Sequence, residues 1–488
     1  MTFAYFAGKV FVGSAILRKM DRRNFIGLAS AAGLSLLLEK DAFSLPRSFE
    51  SHRPVVSLRK FVSEAVEKQI VAVKSRTKDP ELTWLFENCY PNTLDTTVFT
   101  GTRDGKPDSF VITGDIDALW LRDSTAQVTP YLPLAKTDEK LREMIRGLIH
   151  RHAYSILLDP YANAFLKDPN GKGWDDKPAN KPGVHERKWE VDSLCYAMRL
   201  SYQYWKTTGD TSPFDAEWQE AMRTVHRTFR IEQLKDGPSP YRFIRRTTDM
   251  FDAPPFQGEG YPVKPCGLLR SAFRPSDDST ILPFLIPSNM FAVVELRHLA
   301  EMFQTIVKDA KFAAECRTMA AEVDQAITKH AVVNHPKFGR IFAYEVDGFG
   351  NAMFMDDANV PNLMSIPYLG FVPASNPIYQ NTRRFVLSDS NPYFASGKAA
   401  SGVGSPHTGK RSIWHIGITM RALTSTNNAE IAECLAMIKR THAGTGFMHE
   451  SFNPDDPAKF TRKWFAWANT LFGELILKLD AATAKRVI

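Results

Sequence analysis

Cysteine is scarce in this chain, with five residues in 488, none of them in a C-x-x-C pair or at the spacing of a metal-binding motif. An odd number of widely separated cysteines argues against a disulfide framework and predicts buried, reduced thiols. Blocks of Lys and Arg with interleaved aromatic residues are also absent, and the net charge of +7 is small for this length. The composition therefore argues against a disulfide-stapled scaffold and against nucleic-acid binding.

An apolar run at the N-terminus, residues 27–38, is too short to span a membrane as a helix. It follows a twin-arginine pair at residues 22–23 and precedes a small-x-small site at residues 42–44. This order is typical of a bacterial twin-arginine export signal, with Met20 as the predicted start. Residues 1–44 are thus predicted to engage the twin-arginine export machinery and to direct the protein to the periplasm or outside, without stable membrane insertion. An amphipathic N-terminal helix is the alternative.

Helical periodicity dominates the remaining sequence. Blocks with a 3.6-residue period occur at 57–76, 118–134, 138–157, 189–208, 214–233, 287–307, 309–330, 357–368, 412–423, 427–440 and 463–481. Short β-like pieces occur at 96–100, 109–113 and 241–246. Successive helices with polar clusters in alternate connections predict an all-α (α/α)6 toroid with short β insertions. Residues 45–56 are a predicted linker, and 57–488 a single domain.

Two long connections, 159–188 and 247–286, carry Trp, Phe, Asp and Arg. Long ordered loops of this composition usually build a functional site, because a rigid scaffold can position their side chains. The toroid is therefore predicted to bind its ligand at the end where these loops meet.

The segment T-G-D-I-D-A-L-W-L-R-D-S carries Asp115, Asp117, Trp120, Arg122 and Asp123. Carboxylates accept hydrogen bonds from hydroxyl groups, an Arg fork donates to oxygen atoms, and an indole face covers the apolar side of a sugar ring. The combination favours binding of a neutral polyol. The alternative is a helix start whose Asp residues cap the first turn, which leaves the joint presence of Trp, Arg and Asp unexplained.

Two further segments contain candidate catalytic carboxyl groups. Asp277 and Asp278 follow Arg274 in F-R-P-S-D-D, and adjacent carboxylates resist joint ionisation, so one can remain protonated as a general acid. Glu450 follows His449 in a loop between glycines and Asn-Pro, where a carboxylate can activate water as a general base. Helix capping by the Asp pair and a surface role for Glu450 are the alternatives.

Inverting hydrolysis of a glycosidic bond needs two carboxyl groups about 6.5–9.5 Å apart, one to protonate the leaving oxygen and one to activate water. Asp277 and Glu450 are far apart in sequence, so only the fold can bring them together. Further polar clusters lie at 189–192, at Asp356, Asp357 and Asn359, and at His407 in a Gly/Ser loop. No histidine pair has zinc spacing, so no metal or other cofactor is predicted.

Six of these segments occur together, in this order, in glycoside hydrolase family 125, and the chain resembles that family over residues 57–480. The segments are residues 114–124, 189–194, 273–278, 355–361, 404–408 and 449–452. The resemblance implies a metal-independent, exo-acting α-1,6-mannosidase with an (α/α)6 barrel, which releases mannose from glycans with inversion. It places the general acid in the R-P-S-D-D segment, for which we expect Asp277 with Asp278 as the fallback, and the general base at Glu450.

The resemblance also leads us to expect that mannose hydroxyls are held by Asp115, Asp117, Arg122 and Asp123, with Trp120 or His407 against the sugar ring. The other candidate substrate contacts are Arg274, Asp278, Asp356, Asp357, Asn359 and His449. Two alternative functions stay open: a toroidal inverting glycosidase for another α-linked sugar, and a glycan-binding toroid without catalysis.

Overall fold

Helices dominate the computed structural model, which describes residues 49–479. They are α1 (Glu64–Arg76), α2 (Pro80–Cys89), α3 (Asn92–Thr96), α4 (Leu121–Val128), α5 (Glu139–Leu158), α6 (Val191–Thr208), α7 (Ala216–Glu232), α8 (Pro255–Gly258), α9 (Ile286–Met302), α10 (Ala310–His330), α11 (Ile366–Leu369), α12 (Pro377–Val386), α13 (His415–Leu423), α14 (Asn428–Thr441) and α15 (Ala466–Lys478). The predicted export signal at 1–44 lies outside the described residues, which belong, from Glu50 onward, to one compact unit.

Short antiparallel strands lie in the connections between the helices. They are β1 (Val98–Arg103), β2 (Lys106–Val111), β3 (Leu119–Trp120), β4 (Ala164–Phe165), β5 (Val184–Glu186), β6 (Phe284–Leu285), β7 (Val332–His335), β8 (Gly339–Phe342), β9 (Glu345–Val346), β10 (Ala352–Met353), β11 (Phe394–Ser396), β12 (Ser401–Val403), β13 (Ile413–Trp414) and β14 (Ser451–Phe452). The sheets have the orders β1-β2, β3-β4-β5, β10-β9-β6, β7-β8, β11-β12 and β13-β14. The hairpin β1-β2 contains parts of the β-like pieces predicted at 96–100 and 109–113.

Six helices form an inner ring. Helix α4 packs on α6, α6 on α9 and α9 on α11, while α15 packs on both α13 and α4. The outer helices α5, α7, α10 and α14 pack against this ring or against each other. Helices α9 and α15 are buried along nearly their whole length, which suits sequences that are apolar on every side.

The two layers differ at their helix starts. The outer helices α1, α2, α5, α7, α10, α12 and α14 each begin at a Ser, Asp or Asn side chain that accepts a backbone N–H. Among the described residues, the N-cap side chains of the inner helices α4, α6, α9, α11, α13 and α15 accept no backbone N–H. Other segments bind the first N–H groups of three of these helices instead: Leu121 donates to the Asn163 carbonyl, Val191 to the Ser271 hydroxyl and Ile286 to the Tyr344 carbonyl.

Three parts of the predicted secondary structure are wrong. Residues 357–368 form turns except for α11, because the side chains of Asp356, Asp357 and Asn362 take the backbone N–H groups that a helix would use. Residues 241–246 form one isolated bridge, between Ile244 and Lys177, and no strand. Helices α2, α3 and α12 lie in segments that were not predicted to be helical.

Some residues of the predicted linker 45–56 contact the domain. The Arg53 guanidinium forms ion pairs with Asp95 at 2.7 Å and Glu67 at 2.6 Å, and the Trp84 indole donates to the Glu50 carbonyl at 2.6 Å. All five cysteines are free, and four of them are buried. In the part of the chain that the structure describes, no helix combines the length and the apolar composition that a membrane crossing requires.

Candidate active site

A cavity of about 540 Å³ collects side chains from the connections that lead into the inner helices. Each of these six connections contributes at least one lining residue, as the predicted alternation of polar clusters requires. Of the predicted site residues, the cavity is lined by Trp120, Arg122, Asp123, Asp277, Asp278, Asn359, His407 and Glu450. The fold thus brings both candidate catalytic carboxyl groups, Asp277 and Glu450, to one cavity.

Two predicted substrate contacts, Asp115 and Asp117, are exposed and do not line the cavity. Asp115 instead accepts hydrogen bonds from Arg462, with Nε to Oδ1 at 2.9 Å. Since Arg462 does line the cavity, Asp115 acts on the site by holding that guanidinium.

Four other predicted contacts are buried in the walls and also do not line the cavity: Arg274, Asp356, Asp357 and His449. Arg274 pairs with Glu345 at 2.6 Å, and Asp356 accepts the Leu363 N–H at 2.8 Å. Their positions indicate structural support for the cavity.

Asp357 and His449 support neighbouring side chains. Asp357 accepts from the Asn359 amide at 3.0 Å and from the Ser405 hydroxyl at 2.8 Å, which fixes Asn359 in the cavity wall. The His449 ring stacks on Phe460 with centroids 3.7 Å apart. His449 therefore anchors the loop that carries Glu450.

Arg122 lies at the centre of a buried cluster of carboxyl groups at the start of α4. Its Nη1 donates to Glu190 at 2.5 Å and to Asp192 at 3.1 Å, and its Nη2 donates to Asp277 at 3.1 Å. Asp123 is buried beside it and accepts from the Thr113 hydroxyl at 2.6 Å. One guanidinium therefore organises carboxyl groups from α4, α6 and the connection before α9.

Asp277 has a left-handed backbone, with φ of 67°, in a tight turn. Such a conformation is uncommon for a residue other than glycine and marks a position that the surrounding structure constrains. The Asn163 amide donates to Asp277 Oδ1 at 3.2 Å, and the Lys188 ammonium donates to the Asp277 carbonyl at 2.7 Å. These contacts fix both the main chain and the side chain of Asp277.

The pKa values of Asp277 and Glu190 are shifted in opposite directions from their ordinary values. Burial raises the pKa of Asp277, but the charges of Arg122 and Lys188 lower it, on balance, below its ordinary value. Burial raises the pKa of Glu190 well above its ordinary value, against the charge of Arg122. These surroundings favour the ionised form of Asp277 and the protonated form of Glu190.

Asp278 faces a different partner. Its Oδ1 lies 3.0 Å from His407 Nδ1, and its side chain is only 3% exposed. Burial lowers the pKa of His407, but the hydrogen bond and charge of Asp278 raise it, on balance, to about 9. The imidazolium form of His407 is therefore favoured in this contact.

Glu450 is held at both of its carboxylate oxygens. The Thr461 hydroxyl donates to Oε2 at 3.0 Å, and Arg462 Nη1 lies 3.4 Å from Oε1. Both partners belong to the connection between α14 and α15, close to Glu450 in sequence. The carboxylate orientation is therefore fixed locally by its own loop.

Aromatic rings complete the cavity wall. Trp120, Trp414, Phe465 and Trp467 line it from the starts of α4, α13 and α15. Trp174 also lines the cavity but is 53% exposed, and the Arg245 guanidinium lies 4.3 Å from its ring centroid. Such surfaces suit the apolar faces of sugar rings.

Several lining residues were not predicted individually, although the two long loops that carry most of them were. They are Trp174, Glu186, Lys188, Arg245, Asp252 and Arg462. For the four that lie in those loops, the only signal in the sequence was the aromatic and charged composition of the loops, and Arg245 and Arg462 lie outside them. Among the described residues, no group of three or more His, Cys, Asp or Glu side chains could hold a metal ion.

The chain is similar to known proteins over most of its length. The family model for metal-independent α-mannosidases (GH125) matches residues 79–477. The Meiotically up-regulated gene 157 protein of the fission yeast Schizosaccharomyces pombe is 43% identical over 459 residues, which cover 89% of each chain.

The fission yeast relative corrects the predicted location. The twin-arginine signal, the export machinery and the periplasm were predicted for a bacterial protein, whereas this relative, similar over most of its length, is eukaryotic. The prediction of a periplasmic or secreted bacterial protein is therefore wrong.

Solved structures confirm the fold. A metal-independent α-mannosidase of Streptococcus pneumoniae, in a non-productive complex with α-1,6-mannobiose, is 44% identical, with a TM-score of 0.83 over 86% of this chain and 98% of that chain. A bacterial glucoamylase complexed with acarbose, 12% identical, has a TM-score of 0.52 over 86% of this chain and 60% of that chain, which shows a shared fold alone. The predicted (α/α)6 toroid is confirmed. With its family model matched from residue 79 to residue 477, the chain belongs to glycoside hydrolase family 125, the metal-independent α-mannosidases.

Proposed function

We propose that this α-mannosidase is exo-acting, releases terminal mannose from α-1,6 linkages in mannose-containing glycans, and inverts the anomeric configuration. The observation that carries this proposal is the meeting of Asp277 and Glu450 in one cavity, from connections on different sides of the ring. Two carboxyl groups that line one cavity can act as the general acid and the general base of glycoside hydrolysis.

Asp277 is the better candidate than Asp278 for the general acid. Its side chain is 26% exposed, whereas that of Asp278 is 3% exposed and bonded to His407. A general acid must reach the glycosidic oxygen within hydrogen-bond distance. Asp278 instead serves by charging and orienting His407 at the cavity wall.

Glu450 suits the role of general base. The Thr461 hydroxyl and the Arg462 guanidinium contact different oxygens of its carboxyl group, so the group is held in one orientation. In the proposed reaction a water attacks the anomeric carbon and passes its proton to Glu450, while Asp277 protonates the departing oxygen. The hydroxyls of the terminal mannose, which is the sugar released, are held against Trp120 by Arg122, Asp123 and Asn359 in this proposal.

The leaving group is expected on the Asp277 side of the cavity, because the acid must contact the glycosidic oxygen. Lys188 joins Asp277 to Asp252, and Arg245 joins Asp252 to Trp174. This chain of contacts places the exposed Trp174 ring on that side. The α-1,6 preference is supported by the sugar named in the pneumococcal complex, which is α-1,6-mannobiose.

Substitution of the two carboxyl groups tests the roles. With α-1,6-mannobiose as substrate, Asp277→Asn and Glu450→Gln are each expected to lose about 10²–10⁴-fold in turnover. Asp389→Asn is the matched control, since Asp389 is exposed and outside the cavity. Retention of near-parental turnover by either active-site variant would contradict its assigned role.

A substrate panel separates the alternatives. Hydrolysis of α-1,6-mannobiose in preference to α-1,2- and α-1,3-linked mannobiose and to α-glucosides is expected. Preference for another α-linked sugar would favour the broader glycosidase interpretation. Calorimetric binding of mannosides without product would favour a glycan-binding protein.

A further inference from the structure

We propose that Glu190 is a positioning residue for the general acid: its buried carboxyl group shares one proton with Asp277, and this is the proton delivered to the glycosidic oxygen. The inference rests on the proposed function, in which Asp277 is the acid. Glu190 does not line the cavity and acts only through Asp277.

The geometry around Arg122 requires such a proton. Three carboxyl groups, those of Glu190, Asp192 and Asp277, lie within 3.1 Å of its two terminal nitrogens, and Asp123 lies 3.6 Å from its Nε. One positive charge cannot neutralise four carboxylates in a buried site. At least one carboxyl group in the cluster is therefore protonated.

The hydrogen bonds identify the protonated member. Glu190 Oε2 accepts from Arg122 and from the Ser193 hydroxyl at 2.8 Å, whereas the buried Oε1 has no donor among the described residues. Glu190 and Asp277 both accept from the Arg122 guanidinium, Glu190 from Nη1 at 2.5 Å and Asp277 from Nη2 at 3.1 Å, which brings the two carboxyl groups together. Two carboxyl groups can form a hydrogen bond only if one of them carries a proton.

The nearby cations are already engaged and do not remove this requirement. The ammonium of Lys188 bonds to the Asp277 carbonyl and to Asp252, and His407 is paired with Asp278. The charged and titratable groups that face the pair are Arg122 and Asp123 on α4, Asp192 on α6, Glu186 and Lys188 before α6, Asp278 beside Asp277, and His407.

The directions of the pKa values agree with this arrangement. Burial raises the pKa of Glu190, while Arg122 and Lys188 lower that of Asp277 against the effect of burial. For two groups in such contact, the proton belongs to the pair, and a pH profile reports the pair. Without Glu190, Asp277 would be ionised beside Arg122 and Lys188 and would be a poor acid.

The pair begins with one proton, which in the reactive arrangement lies on the Asp277 oxygen that faces the glycosidic oxygen. That O–H bond and the bond from the anomeric carbon to the glycosidic oxygen break, and a new O–H bond forms on the leaving sugar. Water bonds to the anomeric carbon and passes its proton to Glu450. Afterwards Glu450 loses that proton to solvent, and the pair regains one.

The protonation state can be measured without activity. Glu190→Gln keeps the shape of the side chain and a donor toward Asp277 but has no proton to transfer. In the infrared difference spectrum of wild type minus Glu190→Gln near neutral pH, we expect a C=O stretch of a protonated carboxyl group. Absence of that band would overturn the proposal.

The kinetic test uses two leaving groups. With α-1,6-mannobiose, Glu190→Gln is expected to lose about tenfold or more in kcat, and the alkaline limb of its kcat/KM profile moves to lower pH. With 2,4-dinitrophenyl α-mannoside, whose leaving group needs no proton, kcat is expected to stay close to that of wild type. Equal losses on both substrates would mean that Glu190 is only structural.

Asp192→Asn is the matched control, because it also removes a buried carboxylate from Arg122. Asp192→Asn is expected to change kcat equally on both substrates and to leave the alkaline limb of the kcat/KM profile at the same pH. If Asp192→Asn shows the same dependence on the leaving group as Glu190→Gln, the loss of kcat comes from the changed surroundings of Arg122, and the proposal is overturned.

A second variant and the wild type complete the test. Glu190→Asp keeps the carboxyl group but moves it away from Asp277, so its kcat on mannobiose is expected to lie between those of wild type and Glu190→Gln. A kcat equal to that of Glu190→Gln at every pH would count against proton sharing. If wild type hydrolyses no mannoside, the proposed function fails, whereas the infrared band still reports on the pair.

Discussion

Replacement of Arg274 by Met tests whether this residue supports the acid turn or contacts substrate. The Arg274 guanidinium, in a side chain 1% exposed, donates from Nε to Glu345 Oε1 at 2.6 Å. The other oxygen of Glu345 accepts the backbone N–H groups of Ile281 and Leu282 at 3.1 and 2.9 Å. This ion pair therefore ties both ends of the turn that carries Asp277.

The magnitude follows from burial. Removal of one partner of a buried ion pair leaves an uncompensated charge and costs about 3–5 kcal/mol. We expect urea denaturation of Arg274→Met to show a free energy of unfolding lower by that amount. We also expect a fall in kcat larger than the rise in KM, because the substrate still binds while Asp277 is misplaced.

An exposed pair provides the control. Arg297 and Asp324 are 2.7 Å apart, with side chains 51% and 37% exposed, so Arg297→Met should cost only about 0–1 kcal/mol. If Arg274→Met also loses less than about 1 kcal/mol, the reasoning on its buried pair is refuted. A raised KM with unchanged kcat would instead support direct substrate contact.

Two other predictions concern the cavity rim and the pH dependence of stability. Trp174→Ala should lower kcat/KM for α-1,6-mannobiose but hardly change it for α-mannosyl fluoride, because the fluoride has no sugar on the leaving-group side. Phe349 is exposed and lies outside the cavity, so Phe349→Ala is the control. Equal losses of kcat/KM on both substrates would contradict a contact between Trp174 and the leaving sugar. The folded-state pKa of His407 is raised from 6.5 to about 9, so its pairing with Asp278 stabilises the fold fully below pH 6.5 and is lost as pH rises through 9. The free energy of unfolding, measured with urea, should therefore fall more steeply over this window in wild type than in His407→Gln, and parallel curves would contradict the assignment.

The sequence predicted the toroid because helical periodicity and loop composition are local properties that survive folding. Helix α2 was missed even though Asp79 and Pro80 form a standard helix start, with Asp79 accepting two N–H groups. The opposite error, at 357–368, arose because periodicity does not reveal that Asp356 and Asp357 capture backbone donors.

Residue types predicted the chemistry of the site better than its contacts. Asp277 and Glu450 were predicted as partners and line one cavity, but Asp117, in the same motif as Arg122, is exposed. Arg274 was predicted to touch substrate and instead pairs with a glutamate that lies far along the chain. Which member of a polar motif faces the cavity depends on long-range contacts, and a single sequence does not show them.

The most direct test of the account is the anomeric configuration of the first product. Proton NMR of α-1,6-mannobiose hydrolysis, recorded before mutarotation equilibrates the mannose, distinguishes the two outcomes. Inversion by Asp277 and Glu450 predicts that β-mannose appears first. Initial release of α-mannose would mean retention of configuration and would contradict the assignment of Glu450 as a base that acts on water.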